Sequence, residues 1–328
     1  MSLIHSAAIA QSSFQTIPII NLSQISSNDP SIRRALAMEI RSACINVGFF
    51  YVANHGVPET LTEEFIDNKT TPNMMGYSAL LSGNNDPKGG GDFQEGFEFT
   101  GEPFDSLDQT EISESSYSIG RNAWPSELPR FREAALRYYY AVVNLGKQLF
   151  PIFALALDLK EDYFDQKTNN AAALMRSIRY PPQEEVTDEH IIGIGSHTEY
   201  RVLATHELYP LSWECFTILW QEPGIQALQV LNSDKEWIDA PPIPGTFVIK
   251  LNSFENYVDG IFKSTVHRAI NRSNIYRYSI PLFMGANWDA KLEPIPGCVS
   301  PDRPLQYEVI TAGEYVKVKL ADTYKQHS

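Results

Sequence analysis

Apolar or small residues at Ile32, Leu36, Ile40, Ala43 and Val47 recur at steps of three and four, so Pro30 to Val47 is predicted to form a helix with one face turned to a core. Gly48 closes it. The aromatic and β-branched run Phe49-Phe50-Tyr51-Val52 reads as a strand, turned by Asn54-His55-Gly56. Ahead of the helix, Ile17 to Leu22 reads as a short strand, with Pro18 near its start where no ladder donor is missed. The strongest helical pattern runs from Pro129 to Leu157, where Phe131, Ala135, Tyr139, Val142, Leu149 and Phe153 track one face. Pro151 predicts a kink or a division within it. Past Lys160 the pattern changes to short β-rich runs separated by Pro, Gly and Asn: Ala227 to Leu231, Thr246 to Leu251, Ser264 to Ile270 and Tyr276 to Phe283. Many short strands at such spacing suggest a sandwich or jelly roll. Between the two helical segments, Ser82 to Ile119 carries Gly83, Pro87, Gly89-Gly90-Gly91 and many Asp, Glu and Ser residues. It reads as a long irregular segment, more plainly a solvated excursion than a lid or binding loop.

Composition narrows the function classes. Hydrophobic residues make up 43% and charged residues 20%, which suits a globule with a substantial core. The net charge of −14 and the absence of a basic run disfavour nucleic acid as a partner. Cys44, Cys215 and Cys298 form no CxxC pair and no zinc spacing, which points to free thiols in a reducing compartment. No run approaches the ~20 apolar residues of a spanning helix, and Met1 to Thr16 lacks a basic start followed by an apolar block. The expectation is a cytoplasmic protein with no membrane partner, monomeric in the simplest case, folded as one domain over 1–328. Within it, residues 1–125 form a helix, strand and loop region, and 126–328 the long helix and β core.

Three groups of residues carry candidate chemistry. In a strand, His197 and Glu199 emerge on the same face because side chains alternate. His267 follows on another predicted strand, so two imidazoles and a carboxylate can form a facial triad that leaves coordination positions open, as non-haem Fe(II) oxygenases require. Arg277 and Ser279 again share a face, offering a planar fork and a hydroxyl to a carboxylate. Each element alone is common and has a plain structural reading. Their order within one β-rich region is what raises their value. No HExxH is present, which disfavours a zinc hydrolase.

Several blocks then make the resemblance specific: IPIINL with GFFYVANHGVP from Ile17 to Pro58, Gly76-Tyr77-Ser78 with Asn85-Asp86-Pro87, Trp124-Pro125, Tyr180-Pro181-Pro182, FKSTVHR ending at Arg268, and RYSIP from Arg277. With Ile310 to Tyr315 they span nearly the whole chain. The chain resembles the isopenicillin-N-synthase-like Fe(II)/2-oxoglutarate-dependent dioxygenases, in flavour the fungal members that tailor small metabolites. The resemblance implies an α+β fold with a mainly β core, a double-stranded β-helix of the jelly-roll, cupin-like kind, with an N-terminal helical segment and a long packing helix. It implies Fe(II) held by His197, Glu199 and His267, and 2-oxoglutarate held by Arg277 and Ser279 with Tyr180 beside it. O2 is the oxidant, and ascorbate an aid in vitro. The implied reaction couples decarboxylation of 2-oxoglutarate, giving succinate and CO2, to hydroxylation, desaturation or ring closure of a small organic substrate. A degenerate binding protein of the same fold, or an oxidase independent of 2-oxoglutarate, is the alternative reading.

Four departures from the family pattern accompany these matches. Glu199 stands where the family usually has Asp, adding about 1.5 Å of reach, one C–C bond. Residues Arg201 to Trp213 are an insertion ahead of Glu214-Cys215-Phe216, either a substrate loop or a translated intron; its His206 and Glu207 read as surface residues rather than substitute ligands. The chain is short between Glu64 and Pro72. Ile249-Lys250-Leu251-Asn252 replaces a typical Asn-Ile-Gly-Asp turn, and without Gly a positive φ is disfavoured there. Tyr180, Phe216 and Phe283 are candidates for the pocket wall, with core packing as their plainer role.

Overall fold

In the computed structural model the described residues are 13–67, 77–78, 80, 92–102, 122–126, 128–171, 173–183, 193–197, 214–252, 261–295, 298 and 309–311. The first helix, α1 (Pro30–Asn46), is capped by the Asp29 side chain on Ser31 N–H. It follows β1 (Ile19–Asn21) and ends at Val47 and Gly48 before β2 (Phe49–Ala53). A short helix α2 (Glu59–Asp67) precedes β3 (Tyr77–Ser78), β4 (Glu95–Thr100) and the long helix α3 (Pro129–Ala156). A 3-10 turn (Glu161–Phe164) and α4 (Asp165–Thr168) lead into β5 (Ala173–Tyr180). The strands that follow are β6 (Ile194–His197), β7 (Glu214–Gln221), β8 (Leu228–Leu231), β9 (Trp237–Asp239), β10 (Thr246–Leu251), β11 (His267–Ala269) and β12 (Arg277–Gly285). A small pair, β13 (Lys291–Leu292) with β14 (Ile310–Thr311), completes the described elements.

The strands form a large sheet in the order β1-β2-β10-β7-β12-β5-β4-β3 and a smaller one in the order β6-β11-β8-β9. Alternation sorts the large sheet into two faces. Phe216 and Ile218 of β7, Phe247, Ile249 and Leu251 of β10, and Ile280, Leu282 and Met284 of β12 join the core built with α1 and α3. The residues between them, such as Thr217, Leu219, Lys250, Ser279 and Pro281, face the cleft toward the smaller sheet. At one end that space is filled by Val47, Phe49, Tyr51, Leu228, Val230 and Val248. This is the double-stranded β-helix.

One expectation changes. Glu95 to Thr100, inside the segment read as irregular, is strand β4, paired to both β3 and β5. Its Gly and Glu hid a strand whose Phe97 and Phe99 share a face and pack on Trp124, with ring centroids 5.6 and 5.2 Å away. Residues 82–91 and 103–119 of that segment lie outside the described residues, as does 68–72 of the stretch read as short. Pro151 lies inside α3 without dividing it. Leu149, Phe150, Ile152 and Phe153 on either side of it are all buried in one core, and that burial outweighs the local cost of about 3 kcal/mol. As the Thr246 to Leu251 run predicted, Ile249 to Leu251 continues β10, and none of the positive-φ residues falls there. Cys44, Cys215 and Cys298 are buried, and none is in a disulfide among the described residues. No helix among the described residues is long and apolar enough to cross a membrane.

Gly48 joins the helical layer to the strand that leads into the site. Its φ is +76°, and a Cβ there would lie 2.3 Å from Lys263 O and 2.7 Å from Thr265 Oγ1. Around it Lys263 N donates to Cys44 O at 3.0 Å, and Thr265 Oγ1 donates to Val47 O at 2.6 Å. A left-handed L-residue costs about 1–2 kcal/mol before any clash. Gly48→Ala is therefore expected to destabilise the fold by about 2 kcal/mol or more, read as a lowered midpoint in urea unfolding. An unchanged midpoint would contradict this account of the close approach.

Candidate active site

Five of the six residues singled out from the sequence converge on one cleft between the two sheets. His197 ends β6 and His267 begins β11, and the two are direct partners in the antiparallel ladder. Cross-strand partners project from the same face, and the two imidazole centroids are 4.2 Å apart. Arg277 begins β12 opposite Tyr180, the last residue of β5. Ser279 lies two residues on and faces the same cleft. Glu199, the sixth, lies outside the described residues, as does the whole of the 201–213 insertion with His206 and Glu207. Of the three aromatic candidates, Tyr180 and Phe283 line the cleft. Phe216 does not: it faces the helical layer, its ring centroid 5.2 Å from that of Phe150 and 5.1 Å from that of Phe153.

Both imidazoles have the orientation a ligand needs. His197 Nδ1 lies 2.6 Å from Gly195 O, and His267 Nδ1 lies 3.1 Å from Thr265 O. A carbonyl only accepts, so each Nδ1 carries the proton and each Nε2 presents a lone pair. Orientation through the second nitrogen is the usual way a protein fixes a metal-binding histidine. Burial, and then the nearby Lys250 charge, pushes His197 down to about 3 and His267 well below its ordinary range. Both rings are thus neutral and need lose no proton to a metal. Asp92, itself buried, accepts from Gly195 N at 3.1 Å and so steadies β6 just ahead of His197.

Arg277 supplies the site's second chemistry. Its side chain is almost wholly buried, with Tyr180 beneath it at 4.8 Å from ring centroid to guanidinium carbon. Nη2 donates to Gln221 Oε1 at 3.3 Å, while Nε and Nη1 have no hydrogen-bond partner among the described residues. Burial pulls its pKa below the ordinary value. A buried guanidinium with two idle donors is costly unless an anion takes them. A carboxylate fits that fork, and the adjacent Ser279 hydroxyl lies on the same side of the strand.

Lys250 is the feature that sequence reasoning missed. It projects into the cleft from β10, buried, with Nζ 3.2 Å from His267 Nε2. Burial pushes its pKa down to about 7. A signal was available: a lone Lys in the apolar run Thr246-Phe247-Val248-Ile249-Lys250-Leu251 has to be buried on one face or the other. Next to it, Asn252 donates to Glu214 Oε2 at 3.0 Å and to Thr217 Oγ1 at 2.9 Å. This ties together the start of β7 and the end of β10, and burial raises the Glu214 carboxyl well above the usual range.

The barrel, two Nε2 lone pairs and a buried arginine fork define the class: an oxygenase of the double-stranded β-helix type. Comparison with known proteins specifies the class further. Residues 17–69 match the model described as non-haem dioxygenase in morphine synthesis N-terminal, and residues 170–286 match the 2OG-Fe(II) oxygenase superfamily. A 2-oxoglutarate-Fe(II) type oxidoreductase of Metarhizium majus is 31% identical, with 94% of this chain and 87% of the relative covered. A homoarginine-6-hydroxylase of Glycine max is 32% identical over 86% of this chain and 89% of its own. A Neurospora crassa protein crystallised in complex with alpha-KG and thymine shares the fold, with a TM-score of 0.77 at 24% identity and coverage of 94% of this chain and 97% of that one. The chain belongs to the Fe(II)/2-oxoglutarate-dependent dioxygenase family.

Proposed function

We propose that the protein oxidises a small organic molecule by hydroxylation, desaturation or cyclisation, and that His197, Glu199 and His267 hold its Fe(II). In this reading Arg277 and Ser279 grip the distal carboxylate of 2-oxoglutarate, with Tyr180 alongside. The observation that carries it is the pairing of a half-unsatisfied buried Arg277 with two outward-facing Nε2 atoms in one cleft. At such a site the iron supplies O2-dependent decarboxylation of 2-oxoglutarate to succinate and CO2, coupled to oxidation of a substrate C–H bond. The chain's own part is to orient and to exclude water. The lone pairs are aimed by two backbone carbonyls, and the cleft wall is apolar at Ile178, Leu219, Leu228 and Phe283. The homoarginine hydroxylase and the thymine complex named above act on or bind small molecules, and the fungal relative is an oxidoreductase of the same type. They support a small metabolite as substrate, in keeping with secondary metabolism.

The test is succinate release from 2-oxoglutarate with added Fe(II) and ascorbate. Absence of succinate, even without substrate oxidation, from protein that demonstrably holds iron would refute the proposal. The longer arm of Glu199 bears on rate. A misplacement of ~1 Å costs on the order of a hundredfold, so Glu199→Asp is expected to raise succinate formation about tenfold or more. A slower variant would mean that the site is built around the longer side chain.

A further inference from the structure

We propose that Lys250 is an internal competitor for the iron, seated on the lone pair that the metal needs. This rests on the reading of His267 as a ligand. The backbone leaves Lys250 little choice. β10 is hydrogen-bonded on both sides, with Lys250 opposite Phe49 of β2 and Thr217 of β7. Alternation sends Phe247, Ile249 and Leu251 to the helical core, and Val248 and Lys250 to the space between the sheets. Slipping the strand by one residue would turn three core side chains out of place, so the ammonium is committed to the cleft.

There it meets the remaining acceptor of His267. His267 Nδ1 faces Thr265 O, which leaves one in-plane lone pair on Nε2, and Lys250 Nζ lies 3.2 Å from it. One lone pair serves one partner. A first-row metal ion sits about 2.1 Å from an imidazole nitrogen, inside the 3.2 Å that the hydrogen bond spans. The ammonium must therefore leave as the metal arrives: an N–H···N bond is lost and a nitrogen–metal bond replaces it. Loading then depends on how readily Lys250 is displaced, and the side chain lowers metal affinity without touching the triad's composition.

The experiment is a titration of the metal-free, full-length protein with Mn(II) by calorimetry, and with Co(II) followed by its visible bands. Wild type, Lys250→Met and His267→Ala are compared. Lys250→Met removes the donor and keeps an unbranched side chain of similar length. Its Kd for either ion is expected to fall at least tenfold, about 1.4 kcal/mol, while His267→Ala weakens binding. Equal affinity in wild type and Lys250→Met overturns the proposal. Unchanged affinity in His267→Ala instead overturns the ligand assignment beneath it, so the two failures are distinguishable. Should Lys250→Met not fold, wild-type crystals grown without metal and with Mn(II) decide. The Lys250 amine is expected within hydrogen-bond distance of His267 in the first and away from it in the second. An amine in the same place in both, or away from His267 in both, refutes the competition.

Discussion

His267→Ala is expected to abolish stoichiometric metal binding and to reduce succinate formation more than a hundredfold. Loss of a group that merely orients a metal ligand already costs roughly 10–100-fold, and His267 is assigned to direct contact. The ring is held from three sides. Its Nδ1 faces Thr265 O, its ladder partner is His197, and Phe49 meets it edge-on with centroids 5.3 Å apart. The checks are metal content after desalting and succinate yield, with circular dichroism to establish that the barrel persists. A folded variant that keeps one equivalent of metal at wild-type affinity would remove His267 from the site.

Arg277→Met is expected to separate binding from turnover. Removing one partner of a buried, hydrogen-bonded charge pair costs about 2–5 kcal/mol. The KM for 2-oxoglutarate should therefore rise by about two orders of magnitude, with a smaller effect on kcat at saturation. Stability should move the other way. Nε and Nη1 of Arg277 have no partner among the described residues, so an apolar replacement relieves a buried charge, a change worth about 1–4 kcal/mol in favourable cases. The metal-free variant should melt no lower than wild type. Added 2-oxoglutarate should raise the wild-type melting temperature and leave the variant's unchanged, because only a ligand that binds the folded state stabilises it. An unaltered KM would place the cosubstrate elsewhere.

His197, His267, Arg277 and Ser279 were legible in the sequence because strand alternation and the family resemblance pointed the same way, and the ladder brings them together. α1 and α3 were legible to within a residue or two because their apolar spacing repeats over many turns. Which face of a strand looks inward was not. Phe216 and Thr217 are neighbours in sequence, yet only Thr217 reaches the cleft, and register alone decides between them. Lys250 escaped notice for the same reason. In the sequence it stands out as the loss of a glycine turn, while its consequence is a charge placed beside an imidazole. β4 was hidden because its two phenylalanines are diluted by glycine and glutamate in a segment rich in loop-forming residues.

Gly48 and the end of α1 carry an implication for chimeras. The region matched by the N-terminal family model supplies β2, which is laddered directly to β10 and so braces the strand that holds Lys250. The same region, through Cys44 and Val47, receives the hydrogen bonds of Lys263 and Thr265 just ahead of His267. The two matched regions thus share one seam of backbone and cannot be exchanged between relatives as independent cassettes. A graft of residues 17–69 from another member would have to bring a matching 246–267 with it, or the imidazole at the seam would lose its footing.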